Sequence, residues 1–322
     1  MKAATYHRTG GPEVLRYEEV PDPPLRRGGV LIEVKAIGIQ GGDLLNRQSG
    51  RMPATPHVVG YQAAGVVREV GEGVDGLQPG QRVVAFMDHG SHAELASVRA
   101  RSVWPLPDGL SFEVAAGIPV EFGTAHDCLF EFWQLQPDDV VLVHAAAGGV
   151  GLAAVQLAAR AGATVLAAAS SDARVARLAP FGAHHGINSS TADVVAEVQR
   201  LTEGRGVDLV VDPVGGTTLE RSVAALAYRG RISWVGSAGR EGVVPDVRGL
   251  MLKSARLQGV FLGGEMAHDP ERTGRMIADL IARVAAGELQ VVVDRTFPLS
   301  EAAEAHRYIE SRQAFGRVVL VP

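Results

Sequence analysis

The chain has 322 residues, 46% hydrophobic and 21% charged, with a formal net charge of −5. At about 150 residues per domain that length predicts two cores, and the balance of apolar and charged residues excludes a disordered chain. An acidic net charge without a dense Lys/Arg run excludes a nucleic-acid backbone as the main partner.

From the N-terminus, short β-rich runs alternate with Gly/Pro turns. Strands are predicted at Val30–Val34, Ala64–Val70 and Arg82–Phe86, punctuated by Gly10-Gly11-Pro12, Pro21-Asp22-Pro23-Pro24, Gly71-Glu72-Gly73 and Gln78-Pro79-Gly80-Gln81. This pattern predicts a β-barrel-like domain. From Gln136-Pro137-Asp138-Asp139 onward, strands alternate with helical segments, as in a parallel sheet covered on both faces. Strands are predicted at Val140–His144, Thr164–Ala168, His185–Ile187, Val207–Val211, Arg231–Val235 and Leu257–Phe261, and helices near 149–161, 172–180, 191–203 and 217–228. Six parallel strands complete a Rossmann sheet, so the fold class is α/β. The tail offers a helix near 271–286, a strand Gln290–Phe297, a helix Ser300–Ile309 and a last strand Arg317–Val321. Its two strands need hydrogen-bonding partners that a completed sheet does not supply, and the tail is expected to rejoin the first domain.

The strand at Val140 runs through Ala145, Ala146, Ala147, Gly148, Gly149, Val150 and Gly151 into a helix. A strand, a tight turn and a helix N-terminus aim free N–H groups and the helix dipole at a pyrophosphate; Gly148 lets the backbone approach it and Gly151 lets helix and strand pack closely. Ala146 stands where the dinucleotide fingerprint has its first glycine. After the second strand comes Ser170-Ser171-Asp172-Ala173-Arg174. An NAD site places an acidic residue there, whereas a 2′-phosphate calls for small polar and basic groups. Ser170, Ser171 and Arg174 therefore predict NADPH over NADH, with Asp172 read as a helix N-cap and NADH kept as the other possibility.

These residues resemble the medium-chain dehydrogenase/reductase superfamily, and within it the zinc-independent quinone oxidoreductase group. The likeness is carried by Gly10-Gly11-Pro12-Glu13-Val14-Leu15, the segment 28–36, Leu106-Pro107-Asp108-Gly109-Leu110-Ser111, the segment 143–151 and Asp212-Pro213-Val214-Gly215-Gly216. The resemblance implies a GroES-like catalytic domain of residues 1–125 and 266–322, a Rossmann coenzyme domain of residues 126–265, an active site in the cleft, and a homodimer. It carries Thr124, Gly236, Ser237, Phe261 and Leu262 over as coenzyme contacts. Where zinc-dependent relatives place a Cys and a Gly-His-Glu, this chain has Gln40 and Gly60-Tyr61-Gln62, so no zinc is expected. Cys128 alone cannot make a four-cysteine site, and His7, His89, His92 and His184-His185 read as surface or packing residues.

The activity implied is hydride transfer from NADPH to a small quinone or an enone-like activated alkene or carbonyl acceptor. Tyr61, in place of a zinc-binding histidine, is a candidate proton donor, with packing at the domain junction as the alternative; the amide of Gln40 is a candidate hydrogen-bonding partner for substrate or nicotinamide. An enoyl-thioester or other alkene reductase, and an NADPH-binding structural or regulatory protein of the crystallin-like kind, are the other readings. The apolar run Leu257–Leu262 is a candidate strand for pairing with a second copy. With a lone cysteine, no secretory leader at Met1–Tyr6, and an apolar stretch over 140–169 broken by His144, Gln156 and Arg160, a cytoplasmic protein with no membrane partner is expected.

Overall fold

The computed structural model describes all 322 residues, which divide into two compact units, Met1–Val120 with Gly263–Pro322, and Glu121–Leu262.

The N-terminal segment is built from β1 (Lys2–Tyr6), β2 (Arg16–Glu19), β3 (Gly29–Gly38), α1 (Gly41–Ser49), β4 (His57–Val58), β5 (Gln62–Val70), β6 (Arg82–Phe86), β7 (Leu95–Arg99), β8 (Val103–Pro105) and the short α2 (Phe112–Ala115). The long β3 organises it. Its apolar side chains are buried while Glu33 is exposed, and it pairs antiparallel with both β5 and β7. Register shifts at Leu31/Ile32 and Val34/Ala36 let one strand serve both neighbours, because each irregularity bends and twists the strand. The three predicted strands of this segment all lie within β3, β5 and β6.

The second unit holds α3 (Pro119–His126, whose first two residues belong to the other unit), β9 (Val140–Val143), α4 (Gly149–Arg160), β10 (Thr164–Ala169), α5 (Asp172–Val175), β11 (His185–Asn188), α6 (Val194–Leu201), β12 (Val207–Asp212), α7 (Thr217–Ala225), β13 (Leu226–Trp234), α8 (Gly249–Leu252) and β14 (Arg256–Gly259). Its six strands are ordered β11-β10-β9-β12-β13-β14 and every pairing is parallel. This is the doubly wound Rossmann order, with the reversal of direction between β9 and β12. The near-continuous burial of Val140–Val143 and Thr164–Ala169 fits strands covered on both faces.

Several boundaries differ from the sequence pattern. The helix predicted over 172–180 is a single turn, α5: from Arg177 the amides donate three residues back, to Arg174 and Val175, Pro180 has no N–H with which to continue an α-helix, and a 3-10 turn follows at Ala179–Phe181. The helix predicted to 228 stops at Ala225, where the chain passes directly into β13. Burial of Leu226 and Ala227 at the start of β13 outweighs their helical propensity. The last strand of the sheet stops at Gly259, and Phe261 is 75% exposed.

The tail contains α9 (Leu262–His268), α10 (Pro270–Ala285), β15 (Val293–Pro298), α11 (Ala302–Glu310) and β16 (Arg317–Val321). β16 pairs with β3 and with β15, and Val318 and Leu320 share one core with Val30, Ile32, Val67 and Val83. Each such fully buried aliphatic contributes about 1.5–3 kcal/mol. β15 starts three residues later than predicted, at Val293. No helix is long and apolar enough to cross a membrane.

Candidate functional site

In the second unit the turn between β9 and α4 is the most tightly determined feature. Ala145 takes a left-handed φ of 47°, Ala146 N–H donates to Ala168 O at 2.9 Å and Gly148 N–H donates to Ala145 O at 2.9 Å. Gly148 is the N-cap of α4. The next three amides, of Gly149, Val150 and Gly151, begin a helix and have no carbonyl four residues back within it, the arrangement that helix N-termini offer to anions. A Cβ on Gly151 would lie 2.3 Å from Ala145 O and 2.7 Å from Ala146 Cα. Only glycine lets α4 approach the strand this closely. The fingerprint departure at Ala146 is thereby explained: the strained residue is Ala145, while Ala146 and Ala147 are buried in ordinary backbone.

Four of the sequence-predicted segments follow the carboxyl ends of parallel strands in this sheet: 146–151 after β9, Ser170-Ser171 with Arg174 after β10, Gly236-Ser237 after β13 and Phe261-Leu262 after β14. That is the edge at which doubly wound sheets bind ligands. Arg174 Nη2 donates to Ser170 Oγ at 2.8 Å, and Ser190 Oγ donates to Ser170 O at 3.0 Å. The N-cap of α5 is Ser171, not Asp172: Ser171 Oγ accepts from Arg174 N–H, while Asp172 accepts from Asn188 Nδ2 at 2.8 Å. Asp172 is thus engaged with the next strand end, and the hydroxyls and guanidinium dominate the spot. Thr124, nearly buried, lies on α3.

Asp212 is a fixed point the motif reading did not resolve. Its carboxylate accepts from Val214 N–H at 2.8 Å, Gly215 N–H at 2.9 Å and Ser222 Oγ at 2.8 Å, locking the turn that packs on Gly236-Ser237. His144, at the end of β9, is buried and its Nε2 makes no hydrogen bond; burial holds its imidazole below the usual range, partly opposed by Asp212.

In the first unit Gln40 is the N-cap of α1, 3% exposed, and its N–H donates to Asp43 Oδ2 at 2.8 Å. Arg317 of β16 donates to the carbonyl of Ile39 just before it. Tyr61 is half-buried, edge-on to Phe86 at 6.1 Å between centroids. Its hydroxyl lies against α1, where a Cβ on Gly42 would be 2.5 Å from it. Gln62, fully buried, donates to Ala116 O and accepts from Val120 N–H at 2.6 Å. Gln40 and Tyr61 are thus brought to the same end of α1, while Arg51 is exposed and Trp133 is engaged by Ser233 Oγ at 2.7 Å in the other unit.

Residues 26–108 match the alcohol dehydrogenase GroES-like domain and residues 149–283 the zinc-binding dehydrogenase family. A 2-haloacrylate reductase of Burkholderia sp is 34% identical, the alignment covering 100% of this chain and 99% of the relative. The quinone oxidoreductase of Rattus norvegicus is 31% identical over 100% of this chain and 98% of its own. The chain belongs to the quinone oxidoreductase-like medium-chain dehydrogenase/reductases. Among solved structures, the Escherichia coli quinone oxidoreductase complexed with NADPH superposes with a TM-score of 0.95 at 31% identity, covering 100% of both chains.

In this medium-chain reductase no group of three His, Cys, Asp or Glu side chains is gathered to hold a metal ion. The amide and phenol at positions 40 and 61 do not fit a zinc ion, which takes thiolate, imidazole or carboxylate. Cys128 is buried, and burial together with Asp127 pushes its thiol far up, away from thiolate chemistry. Sequence reasoning missed two features of the medium-chain reductase. One is the serine pair Ser189-Ser190 beside Ser170, signalled only by a Ser-Ser-Thr run after a predicted strand. The other is a pair of buried imidazoles, His92 and His306, with their Nε2 atoms 3.2 Å apart. His92 was expected as a surface or packing residue; its partner stands 214 positions away, beyond any spacing rule.

Proposed function

We propose that this protein is a zinc-independent, NADPH-dependent oxidoreductase that transfers a hydride to a quinone or to an activated alkene or carbonyl compound. The observation that carries the reading is the β9–α4 turn, where Gly151 packs too closely on Ala145 to admit a side chain and the first amides of α4 are left to bind a pyrophosphate. The NADPH-complexed relative from Escherichia coli supports the choice of coenzyme. So do Ser170, Ser171 and Arg174, which offer hydroxyls and a guanidinium to a 2′-phosphate. Ala146, Ala147, Gly148, Gly149, Val150 and Gly151 hold the pyrophosphate; Thr124, Gly236, Ser237, Phe261 and Leu262 are assigned to the nicotinamide half. The Rossmann unit, residues 126–265 by the sequence reading, takes the coenzyme, and the remaining residues take the acceptor.

When bound, NADPH supplies the hydride. The chain must then orient the acceptor, polarise its oxygen and deliver a proton. Tyr61 holds an O–H at the N-terminal end of α1 and is assigned as the donor to the acceptor oxygen; Gln40 is assigned to a carbonyl of substrate or nicotinamide. An alkene conjugated to a carboxylate is favoured as a second acceptor class by the haloacrylate reductase relative. The edge strand β14, with Met251, Leu252 and Phe261 exposed nearby in the sequence, is assigned to pairing with a second copy, giving a homodimer.

An acceptor screen following NADPH oxidation tests this reading. Quinone- or enone-dependent oxidation is expected. Turnover confined to acyl thioesters would favour an enoyl-thioester reductase, and tight NADPH binding with no turnover on any acceptor would favour a structural role; either result overturns the proposal.

A further inference from the structure

In the first unit a connected run of polar side chains crosses the interior without any part in the assignments above. Glu310 Oε1 on α11 accepts from Arg47 Nη2 of α1 at 2.5 Å. Arg47, only 1% exposed, places Nη1 3.1 Å from His306 Nδ1. His306 Nε2 lies 3.2 Å from His92 Nε2, and His92 Nδ1 lies 3.4 Å from Ser91 Oγ. A guanidinium has five donors and no acceptor. His306 Nδ1 must therefore accept, which puts its proton on Nε2. That proton is donated to His92 Nε2, which leaves His92 with its own proton on Nδ1, facing Ser91. Arg47 thus sets the tautomers of both buried imidazoles, and each stays neutral.

Both ends of this run bear on Tyr61. Arg47 is on α1, the helix whose Gly42 is pressed by the Tyr61 hydroxyl. At the other end, Gly60 has φ +97°, and a Cβ there would lie 2.0 Å from His92 Nδ1 and 2.1 Å from Ser91 Oγ. The imidazole edge is the wall behind the residue that precedes Tyr61. Ser91 N–H also donates to Gly60 O, and Met87 N–H to Tyr61 O, each at 2.9 Å.

We propose that His306 is a positioning residue for the reduction: from the tail helix it ties Arg47 of α1 to His92 behind Gly60, and so fixes the Tyr61 hydroxyl against the start of α1. The inference rests on the assignment of Tyr61 as proton donor. Steady-state kinetics on Tyr61→Phe, His306→Leu, the double variant and His306→Gln, with NADPH binding measured separately, test it. His306→Leu is expected to lower kcat on the order of tenfold to a hundredfold, the scale of a misplacement of about 1 Å, with NADPH affinity unchanged. His306→Gln, whose amide again offers one acceptor and one donor side, is expected to restore most of the rate. The double variant is expected to be no slower than the slower single variant, because one loss contains the other. Losses that multiply, or an unchanged kcat in His306→Leu, would overturn the proposal while leaving Tyr61 as donor. If Tyr61→Phe alone keeps full turnover, the donor assignment falls and the positioning role falls with it. Should His306→Leu not fold, His306→Asn carries the same expectation, since it keeps an acceptor toward Arg47 but does not reach His92.

Discussion

Among single residues, Gly151 and Arg174 carry the proposed coenzyme site. A methyl group at position 151 would overlap the carbonyl of Ala145, which is backbone and cannot swing aside. Gly151→Ala is expected to cost about 1–3 kcal/mol of stability, the range for overpacking, and to weaken NADPH binding more than tenfold, read by thermal unfolding and by titration. Arg174→Ala removes a cation beside Ser170 and is expected to weaken NADPH binding about tenfold or more while leaving NADH binding nearly unchanged. At this scale the glycine turn was legible because its logic is local, five consecutive residues, 144–148, between a strand and a helix. The identity of the left-handed residue was not, since Ala145 and Ala146 are the same amino acid and only tertiary hydrogen bonding to Ala168 separates their roles. Nor was the cap of α5, where Ser171 and Asp172 are both good capping residues and Asn188, on the neighbouring strand, decides by taking Asp172.

At the scale of elements, the helices and strands with strong period or β-branched runs lie close to where the sequence predicted them, and the clearest miss falls where α7 passes directly into β13. Residues 226–228 read as the end of a helix because propensity sees only neighbours, whereas the sheet recruits Leu226 and Ala227. The β4 strand holds the buried His57 and the loop before β7 the buried His92, and no element signature announces either. Burial and then His89 push His57 down to about 4, and burial pushes His92 down to about 3. In the unfolded chain these imidazoles titrate near 6.5. Between about pH 6.5 and pH 4 the unfolded state therefore binds protons that the folded state refuses, so stability falls as the pH drops through 6.5, and this loss levels off below the folded values. The thermal unfolding midpoint is expected to decline from pH 7 to pH 4.5, and His57→Gln is expected to flatten part of that decline. A midpoint that rises over this interval would contradict the burial of neutral histidines.

For the whole molecule, the α/β class and the six-stranded parallel sheet were legible because each strand-helix repeat is announced by its own pattern. The interior of the first unit was less so. Its core joins Val30 to Leu320, and its polar run joins Ser91 to Glu310, contacts that only the return of the tail creates. Assembly belongs to this scale as well. If β14 pairs with a second copy, sizing by light scattering is expected to give twice the chain mass of 33.9 kDa, and a charged substitution such as Leu257→Lys in β14 is expected to shift the population toward monomer. A monomer in the unsubstituted protein would reject that assignment. Metal analysis is expected to find no zinc linked to activity, and activity lost on chelation and regained with zinc would refute the zinc-independent reading. The central claim, that the first amides of α4 and the Ser170–Arg174 cluster form an NADP site, is tested most directly by equilibrium fluorescence titration of the purified protein with NADPH and with NADH. The expected result is saturable binding of both with NADPH about tenfold or more the tighter; NADH binding more tightly, or neither coenzyme binding at all, would contradict it.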